Sequence, residues 1–247
     1  FPWHPHRGIE TITYVLAGTV EHGDSLGNSG VLGAGDIQWM TAGSGIIHQE
    51  MPKGDTQGRM YGFQLWANLP AKLKMCEPRY QDIRAGAIPE VAEEGGVKVR
   101  VICGPYRDLT GPVEGIAADP RYLDVAVPPE TSWTLHDPAD HASFAYVFEG
   151  AGIFCNESRP LEVPADTAGW WDTDVPDRAE NRHLVLFGGG DEITVTAGPE
   201  GIRFLFVSGR PLREPVAWYG PIVMNTQEEL QTAFREYQDG TFLKHRH

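Results

Sequence analysis

The feature that most constrains the fold is an internal repeat of strand-like sequence. Two motifs recur at matching internal spacing: Tyr14-Val15-Leu16-x-Gly18 as Tyr146-Val147-Phe148-x-Gly150, and Gly35-Asp36 with Thr41-Ala42-Gly43 as Gly190-Asp191 with Thr196-Ala197-Gly198. Self-similarity of this kind indicates a duplicated structural unit. The second copy carries an insertion of about 23 residues around positions 155–180. The chain is therefore predicted to contain two related domains.

Alternating sequence predicts that both copies are built of short β-strands. In residues 9–20 the side chains of Glu10, Ile12 and Tyr14 fall on one face, and the intervening residues fall on the other. The 29 glycines and 19 prolines supply turns between such strands. Further strands are predicted at 35–40, 61–68, 97–103, 121–127, 144–149, 183–187, 192–196 and 202–208, and turns at 22–24, 33–36 and 188–191.

One helix is predicted near residues 227–239. Thr226 and Glu229 have the spacing of a capping box, and Gly240 follows the expected end of the helix. The apolar stripe of this helix consists of Leu230, Ala233, Phe234 and Tyr237. The pattern predicts an amphipathic helix packed on the outside of a β-domain.

Residues 86–96 show no strand period and are predicted to link the two domains. The first domain is then 1–88, and the second is 96–247 with the helix inside it. Phe1 is not an initiator methionine, so the sequence is expected to lack its true start.

Composition excludes several classes of function. A net charge of −14 gives no basic face for nucleic acid or an anionic membrane, and no apolar run is long enough to cross a bilayer. Three widely spaced cysteines, Cys76, Cys103 and Cys155, fit reduced thiols in a cytoplasmic protein. We expect a soluble cytoplasmic monomer.

Two ligand pairs in the first copy predict a metal site. His4-x-His6 and His48-x-Glu50 each have i, i+2 spacing, which on a strand places both side chains on one face. Two neighbouring strands would then bring three imidazoles and one carboxylate to one point. This donor set suits Fe, Zn, Mn, Co, Ni or Cu rather than Ca or Mg.

The second copy retains one of these four ligand candidates. The repeat aligns His4 with His136 and His6 with Pro138, and it aligns His48 and Glu50 with Arg203 and Leu205. Proline, arginine and leucine side chains cannot complete a metal site, so we expect the metal in the first domain alone. His22, in a predicted turn, is expected to be solvated.

Long motifs in the chain resemble the pirin family of the cupin superfamily. They are His4-Pro5-His6-Arg7-Gly8-x-Glu10-Thr11-x-Thr13-Tyr14, Gln38-Trp39-Met40-Thr41-Ala42-Gly43-x-Gly45-Ile46-x-His48-x-Glu50-Met51-Pro52, Pro211-Leu212-Arg213-Glu214-Pro215 and Gly220-Pro221-x-Val223-Met224-Asn225-Thr226. The resemblance implies an all-β bicupin of two stacked antiparallel β-barrels (double-stranded β-helices). It also implies one Fe(II) on His4, His6, His48 and Glu50 of the N-terminal barrel, and none in the C-terminal barrel.

The resemblance implies two functions. One is a quercetin 2,3-dioxygenase that acts on a flavonol-like aromatic with O2; Glu50, or Glu10 if Glu50 stays bound to the metal, could then act as the catalytic base. The alternative is a non-catalytic iron-binding regulatory module that interacts with transcription-related proteins.

Two residues are candidates for the carboxylate ligand of the metal. The broader cupin pattern H-x-H-x3-E would select Glu10, whereas the pirin pattern selects Glu50. With Glu50 as the ligand, Glu10 is expected to orient a ligand histidine. Ile12, Tyr14 and Met40 are expected to line the substrate pocket beside Glu10.

Overall fold

The computed structural model describes residues 1–155 and 178–245. In that part of the chain two compact units are present. Unit 1 comprises Phe1–Ile88, Gly115–Ala118 and the described residues from Leu212 onward, and unit 2 comprises Pro89–Glu114 and the described residues of Asp119–Pro211. Each unit is built mainly of antiparallel strands.

Unit 1 contains two four-stranded antiparallel sheets. Its first eight strands are β1 (His4–His6), β2 (Ile9–Ala17), β3 (Thr19–Asp24), β4 (Ser29–Leu32), β5 (Ile37–Thr41), β6 (Ile46–Lys53), β7 (Tyr61–Asn68) and β8 (Arg79–Ile83). One sheet has the order β1-β6-β3-β4 and the other has the order β7-β2-β5-β8. The three-residue strand β1 therefore lies at a sheet edge and pairs with β6.

Side chains of the two sheets meet in a polar interior. Thr13 on β2 donates a hydrogen bond to Glu50 on β6, and Gln38 on β5 lies 3.0 Å from His22 on β3. Successive strand residues point to opposite faces. The odd-numbered residues of β2 up to Val15 therefore face this interior, and the even-numbered residues face away from it.

Unit 2 is organised around one large antiparallel sheet. Its strands are β9 (Glu90–Ala92), β10 (Lys98–Cys103), β11 (Pro105–Tyr106), β12 (Leu109–Thr110), β13 (Arg121–Val127), β14 (Ser132–His136), β15 (Ala142–Phe154), β16 (Ala179–Glu180), β17 (Leu184–Leu186) and β18 (Glu192–Gly209). The main order is β16-β15-β18-β13-β10-β9, with β14 paired to β18 and β17 paired to β15, while β11 and β12 form a separate ribbon.

The core of unit 2 is apolar where the interior of unit 1 is polar. Trp133 and Phe154 both pack edge-to-face with Phe204. Val99, Val101, Leu123, Val125, Ala145, Val147, Val195 and Phe206 complete the centre of this cluster. Burial of each large side chain contributes about 1.5–3 kcal/mol, so hydrophobic packing stabilises this unit.

The sequence repeat corresponds to the same irregularity in both units. β2 and β15 each shift register shortly before a glycine with positive φ, Gly18 at 79° and Gly150 at 67°. A Cβ atom would lie 2.5 Å from the carbonyl oxygen of Lys53 at the first position and 2.0 Å from that of Gly201 at the second. Glycine is therefore required at this bulge in both copies.

The C-terminal elements belong to unit 1, which corrects the predicted boundary of the second domain at 96–247. They are the hairpin β19 (Ala217–Tyr219) and β20 (Ile222–Met224), and the helix α1 (Gln227–Gln238). Thr226 and Glu229 form the predicted capping box. The buried face of α1 packs on the hairpin in a cluster that includes Phe242 and Ile47 of β6. Burial of this face against unit 1 fixes the helix there.

The predicted linker also contains a strand. Residues 90–92 form β9, in which Val91 pairs with Val99 of β10. Short 3-10 turns lie on either side at Ala85–Ala87 and Glu94–Gly96. A three-residue strand is too short to show a period in sequence, and therefore the segment was predicted as a linker.

Three further expectations concern single features. Cys76, Cys103 and Cys155 are free thiols. Within residues 1–155 and 178–245, no helix combines the length and apolar character needed to cross a bilayer. The insertion around 155–180 lies largely outside the described residues.

Candidate metal centre

Three histidines converge at the edge of unit 1. β1 pairs with β6 in a register that places His4 opposite His48 and His6 opposite Ile46. The i, i+2 spacing puts His4 and His6 on one face of β1. The ring nitrogens of the three histidines lie within 4.8 Å of one another, and the ring centroids are 4.4–5.0 Å apart. This convergence agrees with the strand argument made from sequence.

The available nitrogens fit a transition-metal ion. The buried Nε2 of His6 has no hydrogen-bond partner in the described chain, and its Nδ1 lies 3.3 Å from the carbonyl oxygen of Pro221. Nε2 of His4 lies 3.0 Å from Nε2 of His48. Two nitrogens bound about 2.1 Å from one ion at a right angle lie about 3.0 Å apart. The His4–His48 pair thus has the spacing of adjacent metal ligands, and a ring nitrogen of His6 lies within 4.8 Å of both.

Burial keeps two of these imidazoles neutral. Desolvation, reinforced by His48 and His4, lowers the pKa of His6 from 6.5 to about 3. Desolvation also lowers the pKa of His48, and the nearby Glu50 carboxylate partly offsets this effect. A neutral imidazole presents a lone pair, which is the form that binds metal. Both rings are therefore ready to act as ligands at neutral pH.

Acid should destabilise the metal-free protein through these two rings. A lowered pKa means that folded protein binds fewer protons than unfolded chain between about pH 4 and 6.5, so the free energy of unfolding falls as pH falls. The slope is up to about 1.4 kcal/mol per pH unit for each histidine. Glu10 opposes it, because burial raises the pKa of its carboxyl. Urea denaturation at several pH values measures the free energy of unfolding, which should fall more steeply with falling pH in Glu10→Gln than in the wild type. A free energy that does not change with pH in either protein would contradict the lowered pKa values of His6 and His48.

Glu50 lies beside the cluster with both carboxylate oxygens hydrogen-bonded. Its Oε2 is 3.9 Å from Nε2 of His48. Thr13 donates to Oε1 at 3.0 Å, and the amide of Gln64 donates to Oε1 at 2.9 Å and to Oε2 at 2.8 Å. These two donors hold the carboxylate toward the histidines. Neither donor was predicted from the sequence, although Gln64 lies on a correctly predicted strand.

Three residues that were predicted to lie at the metal or in its pocket face away from the site. Glu10, Ile12 and Tyr14 lie on the face of β2 opposite Thr13, because residues alternate without a register shift over this stretch. Glu10 accepts a hydrogen bond of 2.7 Å from Thr41 on that outer face. The expected roles of Glu10 as ligand or orienting partner, and of Ile12 and Tyr14 as pocket lining, do not match this geometry. The positive φ of 76° at Gly8 breaks the alternation between β1 and β2, so the histidines of β1 and the even-numbered residues of β2 do not share a face.

Met40 does face the interior. It pairs with Thr11 of β2 and packs with Ala42 and Ile46 in a buried apolar cluster. Ile46 is the register partner of His6. Met40 therefore belongs to the apolar side of the interior, and its role in a substrate pocket stays a prediction.

His22 is a buried strand residue rather than the solvated turn residue that we predicted. It lies on β3 opposite Glu50. The side-chain amide nitrogen of Gln38 lies 3.0 Å from Nε2 of His22 and donates to Asp82 at 2.9 Å. The amide nitrogen can only donate, so Nε2 of His22 accepts. The polar interior thus continues from Glu50 to His22, a connection for which the sequence offered no periodic signal.

An aromatic side chain borders the cluster. Trp66 on β7 lies two residues from Gln64 and therefore on the same strand face. Its ring packs edge-to-face on His6 at a centroid distance of 5.3 Å and an angle of 84°. Trp66 is 43% exposed, and His4 is half-buried. The histidine cluster is thus bordered by a solvent-accessible aromatic ring.

Two family models match this chain and together cover most of its length. Residues 1–67 match the family model described as Pirin, and residues 122–243 match the model described as Pirin C-terminal cupin domain. This chain belongs to the pirin family. The first matched segment of this chain contains His4, His6 and His48.

Relatives of this pirin extend over the whole chain. A pirin-like protein of Caulobacter vibrioides is 45% identical over 243 residues, covering 98% of this chain and 80% of the relative. A Thermoplasma acidophilum protein named provisionally as a quercetin 2,3-dioxygenase is 38% identical, covering 100% and 93%. The crystal structure of quercetin 2,3-dioxygenase from Acinetobacter baumannii matches with a TM-score of 0.82 at 36% identity, covering 97% and 78%. These matches confirm the predicted all-β bicupin fold with its C-terminal helix.

Proposed function

We propose that this pirin binds one Fe(II) through His4, His6, His48 and Glu50 and is a dioxygenase of the quercetin 2,3-dioxygenase type. The carrying observation is the convergence of three histidine rings beside a buried carboxylate. Such a donor set suits first-row transition metals, so Zn, Mn, Co, Ni or Cu could replace iron in a purified sample. The names of the Thermoplasma and Acinetobacter relatives support the reaction type.

The carboxylate of Glu50 has the position of a general base. Iron, when bound, supplies a Lewis acid for a substrate oxygen and a site for O2 chemistry. Glu50 would take the proton of a flavonol hydroxyl, because its carboxylate lies next to the histidines and is held there by Thr13 and Gln64. Gln64 and Thr13 would keep the carboxylate oriented while it carries that proton.

Trp66 supports an aromatic substrate. Its exposed ring stands against His6, so a planar ligand that reaches the histidines would contact the indole. Offset stacking or edge-to-face packing of aromatic rings contributes about 0.5–1.5 kcal/mol beyond area burial. The indole would therefore bind and orient the rings of a flavonol without taking part in proton transfer.

Truncation of Trp66 should weaken substrate binding. We expect Trp66→Ala to raise KM by about 3–10-fold, the equivalent of the aromatic contact, while Trp66→Phe recovers most of it. Steady-state kinetics at full metal occupancy measures this effect. An unchanged KM in Trp66→Ala would remove Trp66 from the substrate site.

Oxygen consumption tests the proposed reaction. Metal-free protein is loaded with Fe(II) under anaerobic conditions, then mixed with aerated buffer and a panel of flavonols and catechols. The proposal predicts substrate-dependent O2 uptake by the wild type and none above background by His48→Ala. If fully loaded wild type consumes no O2 with any of these aromatics, the proposed dioxygenase activity is wrong and the regulatory module is favoured.

A further inference from the structure

The strand that carries two of the three histidines has little support from its own sheet. β1 is three residues long and pairs on one side only, with β6. An isolated edge of this length gains few ladder hydrogen bonds. The residues that follow β1 instead contact the C-terminal segment, which we define as residues 212–245. All of these contacts lie within unit 1.

Arg7 joins β1 to the C-terminal segment through its whole guanidinium group. It is 2% exposed and donates to the carbonyl oxygen of Ser44 at 2.7 Å, to Glu236 at 2.8 Å and to the carbonyl oxygen of Phe242 at 2.7 Å. The guanidinium carbon also lies 4.2 Å from the centroid of the Phe242 ring. A buried arginine needs an anionic partner, and Glu236 of α1 is that partner.

The backbone at Arg7 and Gly8 is also hydrogen-bonded to the C-terminal segment, directly and through Lys74. The amide of Val223 donates to the carbonyl oxygen of Arg7 at 3.0 Å. The ammonium group of Lys74 donates to the carbonyl oxygens of Gly8 and Val223 at 2.9 Å each, and to Asn68. Gly8 has a φ of 76°, and a Cβ atom there would lie 1.9 Å from the carbonyl oxygen of Val223. The backbones at Gly8 and Val223 therefore lie too close for any side chain at position 8, directly after the ligand strand.

One contact reaches a candidate ligand itself. The carbonyl oxygen of Pro221, just before β20, lies 3.3 Å from Nδ1 of His6, the ring nitrogen that does not face the cluster. A partner on the far nitrogen fixes the tautomer and orientation of a metal-binding histidine. The C-terminal segment thus supplies the orienting group for His6, at a sequence separation that no local motif could reveal.

We propose that the C-terminal segment is a positioning element of the metal site, and that docking of the segment and binding of metal stabilise each other. This inference rests on the proposed metal ligands His4, His6, His48 and Glu50. Coupling between two binding events is reciprocal. If the docked segment holds β1 in the ligand geometry, metal on β1 must in turn hold the segment. Loss of a docking contact far from the metal should therefore weaken metal affinity.

Glu236→Gln tests the coupling with Glu228→Gln as its control. Both residues lie on α1, but Glu228 is exposed and Glu236 pairs with Arg7. We expect Glu236→Gln to weaken affinity for Co(II) about 10-fold in a chelator competition, within the usual range of coupling between sites, and to alter the visible spectrum of bound Co(II). Glu228→Gln should change neither. Equal affinities and spectra in the two variants would overturn the inference.

Hydrogen exchange of the wild type gives a test that needs no variant. Metal should slow amide exchange in residues 227–242 as well as in 4–8. If metal slows exchange in residues 4–8 but not in the helix, the coupling is wrong and the metal site is still supported. Wild type that binds no Co(II) at all would instead overturn the metal site, and the coupling with it.

Discussion

Replacing His48 with alanine is expected to abolish stoichiometric metal binding. The residue is 1% exposed, it is the register partner of His4, and its Nε2 lies 3.0 Å from that of His4. Loss of this ring removes one of three converging nitrogens. Loss of a group that merely orients a ligand costs about 10–100-fold in affinity, so loss of the ligand itself should exceed this. Metal content after dialysis, with chelator competition for affinity, measures the change.

His136→Ala is the matched control. The repeat aligns His136 with His4, but its side chain is 75% exposed in unit 2 and lies 3.8 Å from Glu192. This variant should retain one equivalent of metal at wild-type affinity. One equivalent at unchanged affinity in His48→Ala would contradict the assignment of the site.

Glu50→Gln is expected to lose most of the activity while the fold is kept. The amide can form a hydrogen bond in place of the carboxylate, but it cannot accept a proton from substrate. Removal of a general base costs about 10²–10⁴-fold in rate. The amide also changes a proposed ligand, so rates must be divided by the amount of bound iron. O2 uptake with a flavonol, normalised in this way, is the measurement.

Glu10→Gln separates the two carboxylates. Glu10 is as buried as Glu50, at 3% against 4% exposure, but it hydrogen-bonds Thr41 on the outer face of β2. Its replacement should leave the rate per bound iron within about 3-fold of wild type, well below the cost of losing a general base. A larger loss in Glu10→Gln than in Glu50→Gln would reverse the roles that the structure supports.

The ligand histidines could be predicted because their geometry is local. Residues i and i+2 of a strand lie on one face in any fold. His4 and His6 therefore needed only a neighbouring strand with a third ligand to form a site. The strands at 61–68 and 121–127 were correctly bounded because both stretches are rich in aromatic or β-branched residues, which favour strands. The capping box of Thr226 and Glu229 is equally local.

Features that depend on distant pairing could not be predicted. His22 and Asp24 resemble turn residues, yet β6 pairs with them and makes them part of β3. The orientation of Glu10 depends on how the chain passes Pro5 and Gly8, where a positive φ at Gly8 breaks the alternation. The return of the C-terminal segment to unit 1 depends on Arg7 meeting Glu236, which are 229 positions apart.

Anomalous diffraction at the metal edge tests the central claim most directly. A crystal of the iron-loaded protein should give one strong peak in unit 1, about 2.0–2.2 Å from one ring nitrogen each of His4, His6 and His48, with the carboxylate of Glu50 turned toward it. Loaded protein whose peak lies at any other group of residues, or whose three histidines enclose no peak, would contradict the account.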